Sequence, residues 1–377
     1  MDKGLEVSLV FFDIRKAFDS VPHLPLLLKL RNLGLNEHIL QWITSYLCDR
    51  HQLVVVEGAS SEPTPVVSGV PQGSILGPLL FLIYINHVSS LSLSDGSKLT
   101  MYADDILLFK PIRYQEDYYD LQDDINTIHL CIKSSFLTLN AAKCKYIIAS
   151  RKKHPCIPLL GLSLGTEIME RVESYRYLGV HVTSNLTWTE HISQICTKAR
   201  KLVGMLYRRY SKWADTDTLR CIYLTCIRPH LEYACQLWDP YINKMSQNLE
   251  SIQKFACRVC LKRWDLSYNC MLQKLDLLPL TSRRKYLKLT TLYNMFSGNS
   301  YFPSGIFVQN NLNYSNWLRN SHVPRFVKPF AHTNYFYSSF VPSVISDWNA
   351  LPNFVTSSTS VSSFKRSLLY HFSEDIS

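Results

Sequence analysis

Two adjacent aspartates, Asp104 and Asp105, lie between two apolar stretches of the chain. Leu99 to Met101 precede the string Tyr102-Ala103-Asp104-Asp105, and Ile106 to Phe109 follow it, so the pattern predicts a β-hairpin with an acidic tip. Burying two neighbouring anions costs several kcal/mol each unless a cation compensates their charge. A bound divalent metal ion would supply that charge. The alternative is a solvated Asp-Asp turn.

A third aspartate stands at the end of another apolar stretch. Val7 to Phe12 is rich in β-branched and aromatic residues, which is typical of a buried strand, and Asp13 follows directly. We expect the three carboxylates to converge. Oxygen ligands without a histidine or cysteine cluster favour a hard cation, Mg²⁺ or Mn²⁺. Three carboxylates suit a two-metal site with ions about 3.5–4 Å apart, which activates an attacking hydroxyl and stabilises a leaving phosphate oxygen.

Five short motifs resemble those of the reverse transcriptases of non-LTR retrotransposons, also called LINE-type elements. Within that family, the motifs are most like those of jockey-like elements. The motifs follow the order of that family over the first half of the chain: Phe11 to Val21, Gly69 to Phe81, Tyr102 to Asp105, Leu139 to Lys143, and Tyr177 to Val180. Trp348 to Pro352 and Ser363 to Arg366 resemble the closing segment of such polyproteins more weakly. One such motif alone would be a weak indication, whereas five in order indicate the family.

The resemblance implies a catalytic set. Asp13, Asp104 and Asp105 would hold two Mg²⁺ ions, with Mn²⁺ as a substitute and Asp105 as the most peripheral ligand. Lys143 would protonate the pyrophosphate leaving group, with an ordinary surface lysine as the alternative. Asp19 is expected to be a structural carboxylate rather than a metal ligand, since it lies well past Asp13 on the following turn.

The resemblance also implies substrate-binding residues. Phe18 lies where family members place an aromatic ring against the sugar, and a ring there would clash with a 2′-hydroxyl, so the substrate is expected to be a deoxynucleotide. Without the resemblance, Phe18 would be a core residue and Pro-Gln-Gly merely a turn. The expected nucleotide-side residues are Gly69, Pro71, Gln72, Gly73 and Tyr102, and the expected primer-grip hairpin contains Tyr177, Leu178 and Gly179.

Apolar strands alternate with amphipathic helices over the first 150 residues, which predicts an α+β fold. The valine-rich stretch Gln52 to Glu57 is expected to be a strand, and Pro78 to Leu91 a long apolar helix. The resemblance implies a right-hand polymerase palm, an antiparallel sheet with helices on one face, at residues 1–184. A basic helical thumb and its extension are expected at 185–297. The C-terminal region is expected to be mostly helical, and its last part, residues 298–377, is expected to be an irregular segment with a final helix.

The net charge of +10 is unevenly distributed along the chain. Residues 1–150 contain 12 Lys and Arg against 16 Asp and Glu, whereas the remainder contains 28 against 14. A basic part of this kind is expected to bind a phosphate backbone, and ordinary solvated helices are the alternative. The candidate contacts lie on a helix predicted at Ile192 to Tyr210: Lys198, Arg200, Lys201, Arg208 and Arg209.

Eleven cysteines, an odd number in a large chain without a visible secretory signal, fit reduced thiols. Cys257 and Cys260, followed by Cys270, have a zinc-like spacing but lack a fourth ligand. The longest apolar stretch, Ile75 to Ile85, falls short of the roughly 20 residues that span a bilayer. We therefore expect an intracellular protein, nuclear and cytoplasmic, without a membrane partner.

Three functions are compatible with these patterns. The first is an RNA-directed DNA polymerase with an RNA template, a DNA primer and deoxynucleoside triphosphates as partners. Because few residues precede Asp13, we expect the fingers region and the endonuclease of this lineage to belong to an upstream portion of the same polyprotein. The second is a truncated, catalytically incompetent remnant that binds nucleic acid through a basic thumb. The third, an RNA-directed RNA polymerase or group II intron maturase, fits less well because of Phe18.

Overall fold

The computed structural model describes residues 2, 4–153, 155–158, 161–301, 306–307 and 325–374. The chain divides between Leu186 and Thr187 into two compact units. Helices occur together with a small, mainly antiparallel sheet, which confirms the predicted α+β class. Within the described residues, no helix is both long and apolar enough to cross a bilayer.

The first unit contains all of the described strands and four α-helices. The strands are β1 (Glu6–Phe12), β2 (His51–Gln52), β3 (Val55–Val56), β4 (Ala59–Ser60), β5 (Thr64–Pro65), β6 (Lys98–Tyr102), β7 (Asp105–Ile112), β8 (Lys145–Ala149), β9 (Ser163–Leu164), β10 (Glu167–Ile168), β11 (Glu170–Arg171), β12 (Ser174–Tyr177) and β13 (Val180–Thr183). The helices are α1 (His23–Asn32), α2 (Glu37–Leu47), α3 (Leu76–Ile85) and α4 (Glu116–Ser134).

A five-stranded sheet in the order β11-β8-β1-β7-β6 forms the centre of this unit. Its pairs are antiparallel except β8 with β11. Val10 and Phe12 of β1 belong to the same buried cluster as Leu121 and Ile125 of α4, so one face of the sheet packs against helices. Each fully buried aliphatic side chain stabilises the fold by about 1.5–3 kcal/mol relative to exposure. This core fixes β1 as the central strand.

Two predicted elements differ from the structure. The strand predicted at Gln52 to Glu57 is replaced by two short ladders, β2 with β5 and β3 with β4. Glu57 and Gly58 both have positive φ angles and form a two-residue hairpin turn, which leaves the valines of β3 exposed. The helix predicted at Pro78 to Leu91 ends at Ile85, and a 3₁₀ turn follows over Asn86–Ser90.

The second unit is helical in its described residues and contains two hydrophobic clusters. Its helices are α5 (Thr189–Tyr210), α6 (Thr216–Ile222), α7 (Arg228–Glu232), α8 (Cys235–Trp238), α9 (Asn243–Leu261), α10 (Tyr268–Leu275), α11 (Leu280–Phe296), α12 (Asn334–Tyr337), α13 (Phe340–Asn349), α14 (Asn353–Thr356) and α15 (Val361–Glu374). A π-helical turn at Tyr223–Ile227 joins α6 to α7. Much of the segment predicted to be irregular, residues 302–305 and 308–324, lies outside the described residues.

Candidate active site

Strand pairing brings the three predicted carboxylates to one edge of the sheet. Phe12 of β1 pairs with Ile106 of β7, so Asp13, which follows Phe12, lies across from Asp105, which precedes Ile106. Asp104 stands in the two-residue turn that joins β6 to β7. Ala103 has a φ of 53°, a left-handed conformation that costs an L-residue about 1–2 kcal/mol and makes this tight turn. The hairpin with an acidic tip is thus confirmed.

Like charges act on one another at this edge. Although Asp105 keeps an exposed side, partial burial raises the pKa of its carboxyl, and the Asp104 and Asp13 carboxylates raise it further. Within the described residues, no three acidic, histidine or cysteine side chains converge tightly enough to form a ready metal-binding group. Closer approach of like-charged carboxylates requires a compensating cation, such as a divalent metal ion.

Lys143 approaches the carboxylates from the fourth motif. Its Nζ lies 3.7 Å from Oδ2 of Asp13, and the lysine side chain is 67% exposed. The backbone builds this approach: the Asn140 amide donates to the Asp13 carbonyl at 2.8 Å, and the Arg15 amide donates to the Thr138 carbonyl at 2.8 Å. Exposed ion pairs of this kind contribute little to stability, about 0–1 kcal/mol, so the position of Lys143 is determined by backbone docking.

Cys144 is a neighbour that the sequence reasoning missed. Its Sγ accepts a hydrogen bond from the Asp13 amide at 3.4 Å. Burial raises the pKa of the Cys144 thiol to about 11, so the side chain is neutral at pH 7 and adds no charge to the site. The sequence could have indicated this contact, because Cys144 stands between Lys143 of the fourth motif and the apolar residues of β8.

The fifth motif forms a hairpin over the sheet face that carries Asp13. Leu178 and Gly179 have φ angles of 45° and 82°, as a two-residue turn between β12 and β13 requires. Tyr177 lies 5.4 Å from the ring of Phe11, and Phe11 shares a face with Asp13 because alternate strand residues point the same way. Burial raises the pKa of the Tyr177 hydroxyl, and the nearby Asp105 carboxylate raises it further.

Tyr175 completes this hairpin and was missed at the sequence level. Its ring stacks on Phe11 at a centroid distance of 4.3 Å. Burial raises the pKa of the Tyr175 hydroxyl, as do the Asp13 and Asp105 carboxylates. The alternation of Tyr175 with Tyr177 along β12 was the signal, since both then point to one face.

The second motif docks on the segment that follows Asp13. The Val70 amide donates to the Phe18 carbonyl at 2.8 Å, and the Gly69 amide donates to the Val21 carbonyl at 2.7 Å. The Phe18 ring is half-buried and stacks on Phe81 at 4.5 Å. These contacts place Phe18 beside the predicted nucleotide-side residues.

Asp19 orients Gln72. Nε2 of Gln72 donates to Oδ1 of Asp19 at 2.7 Å, and the Ser68 hydroxyl donates to the Asp19 carbonyl at 2.9 Å. Gly69 has a φ of 92°, and a Cβ there would lie 2.8 Å from the Asp19 backbone, so only glycine fits. Asp19 therefore positions Gly69 and Gln72, two of the predicted nucleotide-side residues.

Gly73 and Tyr102 are the most open of the predicted substrate residues. Gly73 has a positive φ, and nothing lies within 4 Å of a Cβ built there. Tyr102 is 68% exposed at the end of β6. The Pro71 carbonyl accepts a hydrogen bond from the Ser74 hydroxyl at 2.7 Å, which stabilises the turn at this motif.

A cleft of about 770 Å³ borders this motif. Two cations, Lys16 and Arg50, line it together with Asp19 and Gln72. Arg50 precedes the short ladders of β2 to β5 and has no predicted role in the sequence analysis. The cleft therefore combines positive charge with the amide of Gln72.

Replacing Gly77 by Ala is expected to destabilise the second motif. A Cβ at Gly77 would lie 2.4 Å from the Pro71 carbonyl oxygen, so the backbone beside Gln72 must shift, at a cost of about 1–3 kcal/mol of unfolding free energy. Urea denaturation measures this change. Gly204→Ala in α5 is the matched control, because the added methyl meets only the flexible end of Arg208, at 3.3 Å, and alanine favours helices by about 1 kcal/mol. Equal effects of the two substitutions would contradict the predicted clash.

The basic residues predicted on α5 are all exposed. Four of them lie along one stripe opposite the buried side of the helix: Lys198, Lys201, Arg208 and Arg209. Lys198 and Lys201 are three residues apart, and Arg208 and Arg209 follow Lys201 by seven and eight residues, which is about two helical turns. We call these four residues the α5 stripe. Arg200 lies to one side of it and donates to the Ser251 hydroxyl of α9 at 3.2 Å.

Other basic residues of the second unit have structural partners. Nε of Arg283 donates to Glu232 at 2.8 Å, and Nε of the buried Arg284 donates to Asp239 at 2.7 Å. They are therefore unavailable to a phosphate backbone. Cys257 and Cys260 lie buried in α9, and burial raises the pKa of each thiol to about 12, which disfavours a zinc site there.

Comparison with known proteins adds an independent finding. Residues 2–182 match the family "Reverse transcriptase (RNA-dependent DNA polymerase)". The chain is 29% identical over 256 residues to the probable RNA-directed DNA polymerase from transposon X-element of Drosophila melanogaster, covering 66% of this chain and 28% of the relative. It is 30% identical over 248 residues to the RNA-directed DNA polymerase from mobile element jockey of Drosophila funebris, covering 63% and 26%.

Among solved structures, this chain is similar to telomerase from Candida tropicalis in complex with a TWJ fragment of telomeric RNA. The matched region covers 80% of this chain and 48% of the telomerase chain. The identity is 12% and the TM-score 0.41, too low for a shared fold to be concluded. The chain spans little more than a quarter of the two transposon proteins. Residues 2–182 therefore belong to the reverse transcriptase family, and the transposon relatives confirm the resemblance to LINE-type enzymes.

Proposed function

We propose that this chain carries the catalytic centre of an RNA-directed DNA polymerase, which transfers deoxynucleotides onto a primer 3′-hydroxyl along an RNA template. The observation that supports it most is the pairing of β1 with β7, which sets Asp13 across from Asp105, with Asp104 in the adjoining turn. Strands from two distant parts of the sequence thus deliver carboxylates to one edge. The same edge carries Lys143.

The donor set fits divalent cations. Reverse transcriptases use divalent metal ions, and Asp13, Asp104 and Asp105 offer the carboxylate oxygens that Mg²⁺ prefers, with Mn²⁺ as a substitute. Burial raises the pKa of the Asp105 carboxyl, and the Asp104 and Asp13 carboxylates raise it further, so a cation at this edge would offset negative charge. Two ions held there would supply the charge that lowers the pKa of the primer hydroxyl and neutralises the triphosphate.

The chain's own side chains bind and orient the reactants. Lys143 is placed to give a proton to the leaving pyrophosphate, because its exposed ammonium lies next to Asp13. Phe18, supported by Phe81, presents an aromatic ring to the sugar and disfavours a 2′-hydroxyl. Gln72, which is oriented by Asp19, offers an amide to the nucleotide. The backbone of Gly69, Pro71 and Gly73 lines the same side of the nucleotide site, and Tyr102 lines its solvent-exposed side.

We assign the polymerase subdomains accordingly. Residues 1–184 correspond to a palm, and the hairpin of Tyr177, Leu178 and Gly179 to a primer grip, since it rests on Phe11 next to Asp13. Residues 185–297 correspond to a basic thumb with its extension, whose α5 stripe and Arg200 would contact a phosphate backbone. Residues 298–377 would be a C-terminal region, whose described residues include α15. A fingers portion and an endonuclease would be supplied by the same polyprotein.

A second function has support from one observation. The α5 stripe belongs to a unit with its own hydrophobic cores, so nucleic-acid binding through it does not require the carboxylates. A chain that binds template and primer but no longer polymerises is therefore the competing proposal.

Primer extension separates the two proposals. The purified chain is given a DNA primer annealed to an RNA template, Mg²⁺ or Mn²⁺, and either deoxynucleotides or ribonucleotides. We expect extension with deoxynucleotides and little with ribonucleotides. Retained binding of the primer–template without extension under either metal would favour the binding remnant, and equal use of ribonucleotides would contradict the role of Phe18.

A further inference from the structure

Two exposed aromatic side chains, supported by a partly buried third, form a surface at the end of α9. Trp264 is 52% exposed and Tyr207 of α5 is 46% exposed, and their rings meet edge to face at a centroid distance of 6.1 Å. Phe255 of α9 supports Trp264 from below, at 6.2 Å. We call Tyr207, Phe255 and Trp264 the aromatic platform. Exposure of so much aromatic area costs hydrophobic free energy, which a ligand would recover.

Arg258 contacts the aromatic platform, and two further arginines, Arg208 and Arg200, lie on the helix that carries Tyr207. The Arg258 guanidinium lies 5.6 Å from the centre of the Trp264 ring, and its buried Nε has no hydrogen-bond partner among the described residues. Arg208 reaches back over Gly204, one helical turn away, on the same helix as Tyr207. Arg200 continues this edge along the junction of α5 and α9. The surface is thus both aromatic and positively charged.

The loop that carries Trp264 is held in place. α9 ends at Leu261, and Lys262 turns the chain through a positive φ of 55°. Nζ of Lys262 donates to the Ala214 carbonyl at 2.8 Å, which ties the start of the loop to the rest of the unit. Arg263 forms two hydrogen bonds to Asp265, at 2.8 and 2.6 Å, across Trp264. This pair also neutralises the nearest carboxylate of the loop. A prepositioned ring loses little conformational entropy when a ligand stacks on it.

We propose that the aromatic platform binds unpaired nucleotides of single-stranded nucleic acid, with a base stacked on Trp264 and the flanking phosphates contacting Arg258 and Arg208. Charge complementarity favours a polyanion over an apolar protein segment, since arginines lie both beside and at the edge of the platform. An unpaired strand fits better than a duplex because only unpaired bases offer a free face. This inference rests on the nucleic-acid binding proposed above and adds a site for the part of the strand outside the paired region.

Fluorescence anisotropy with two labelled strands tests the proposal. One is an eight-nucleotide oligodeoxyadenylate, and the other is an abasic strand with the same number of phosphates. For Trp264→Ala in the full chain we expect about tenfold weaker binding of the base-bearing strand and unchanged binding of the abasic strand. Trp213→Ala is the matched control, because Trp213 is 70% exposed in the same unit but is not part of the platform, and it should leave both affinities unchanged.

A second variant and a spectroscopic measurement guard against misfolding. Tyr207→Ala should weaken binding of the base-bearing strand about threefold or more, and the wild-type tryptophan fluorescence should be quenched by that strand but less so in Trp264→Phe. An unchanged affinity in both Trp264→Ala and Tyr207→Ala, or an equal loss for the abasic strand, would overturn the proposal. So would loss of self-association in Trp264→Ala, which would show that a second copy covers the platform. A wild-type chain that binds neither strand would instead contradict the proposed nucleic-acid binding itself.

Discussion

Asp104→Asn should abolish primer extension, lowering the rate on the order of a thousandfold. The substitution keeps the size of the side chain and the turn at Ala103, but it removes one of the charges that the catalytic cations require. Binding of the primer–template should stay within about twofold of wild type, since this edge of the sheet carries negative charge. Single-turnover extension kinetics at saturating Mg²⁺ measure the rate.

Two comparisons make this prediction specific. Asp123→Asn, an exposed aspartate on α4 in the same unit, should leave the rate unchanged. Asp105→Asn should cost less than Asp104→Asn, because Asp105 is the more exposed of the two carboxylates, and partial burial together with its charged neighbours already disfavours its ionised form. Full extension by Asp104→Asn would show that the carboxylate assignment is wrong.

Charge reversal of the α5 stripe should weaken binding of a primer–template by about a hundredfold at 0.1 M salt. The four substitutions are Lys198→Glu, Lys201→Glu, Arg208→Glu and Arg209→Glu. Each phosphate contact that is lost lowers the slope of log affinity against log salt by about 0.7–0.9, so the slope should fall by about 3. Titrations from 50 to 300 mM salt, monitored by anisotropy, measure both quantities.

The control for this experiment reverses four other exposed cations of the second unit: Lys244, Lys274, Lys285 and Arg366. The change in net charge is the same, so a general electrostatic effect would weaken binding equally. A smaller loss of affinity and a salt slope close to that of the wild type are expected from the control. Equal slopes for the two variants would contradict a specific contact at the α5 stripe.

The acidic edge could be predicted from the sequence because each of its parts is local. An apolar stretch that ends at Asp13 and a hairpin whose turn contains Asp104 are visible as patterns of a few residues. The basic helix α5 was equally visible, since its exposed cations recur at helical spacing. The docking of the fourth motif, which sets Lys143 beside Asp13, was expected only through family resemblance.

Contacts between distant residues were beyond these patterns. Val55 and Val56 look like core strand residues, but a turn at Glu57 and Gly58 carries them into a projecting hairpin. Arg283 belongs to the basic part of the sequence, but it pairs with Glu232, which lies 51 residues earlier in the chain. Such partners are selected by packing of whole elements, and a local window contains no signal of them.

The patterns along the chain were therefore sufficient for the strands and the turn that carry the three carboxylates and for the basic helix, because hydrophobic periodicity and turn propensity act over a few residues. The folded chain alone reveals the pairing of β1 with β7, the orientation of Gln72 by Asp19, and the platform around Trp264. Each of these depends on residues far apart in sequence, whose contacts form only when burial of the cores brings them together.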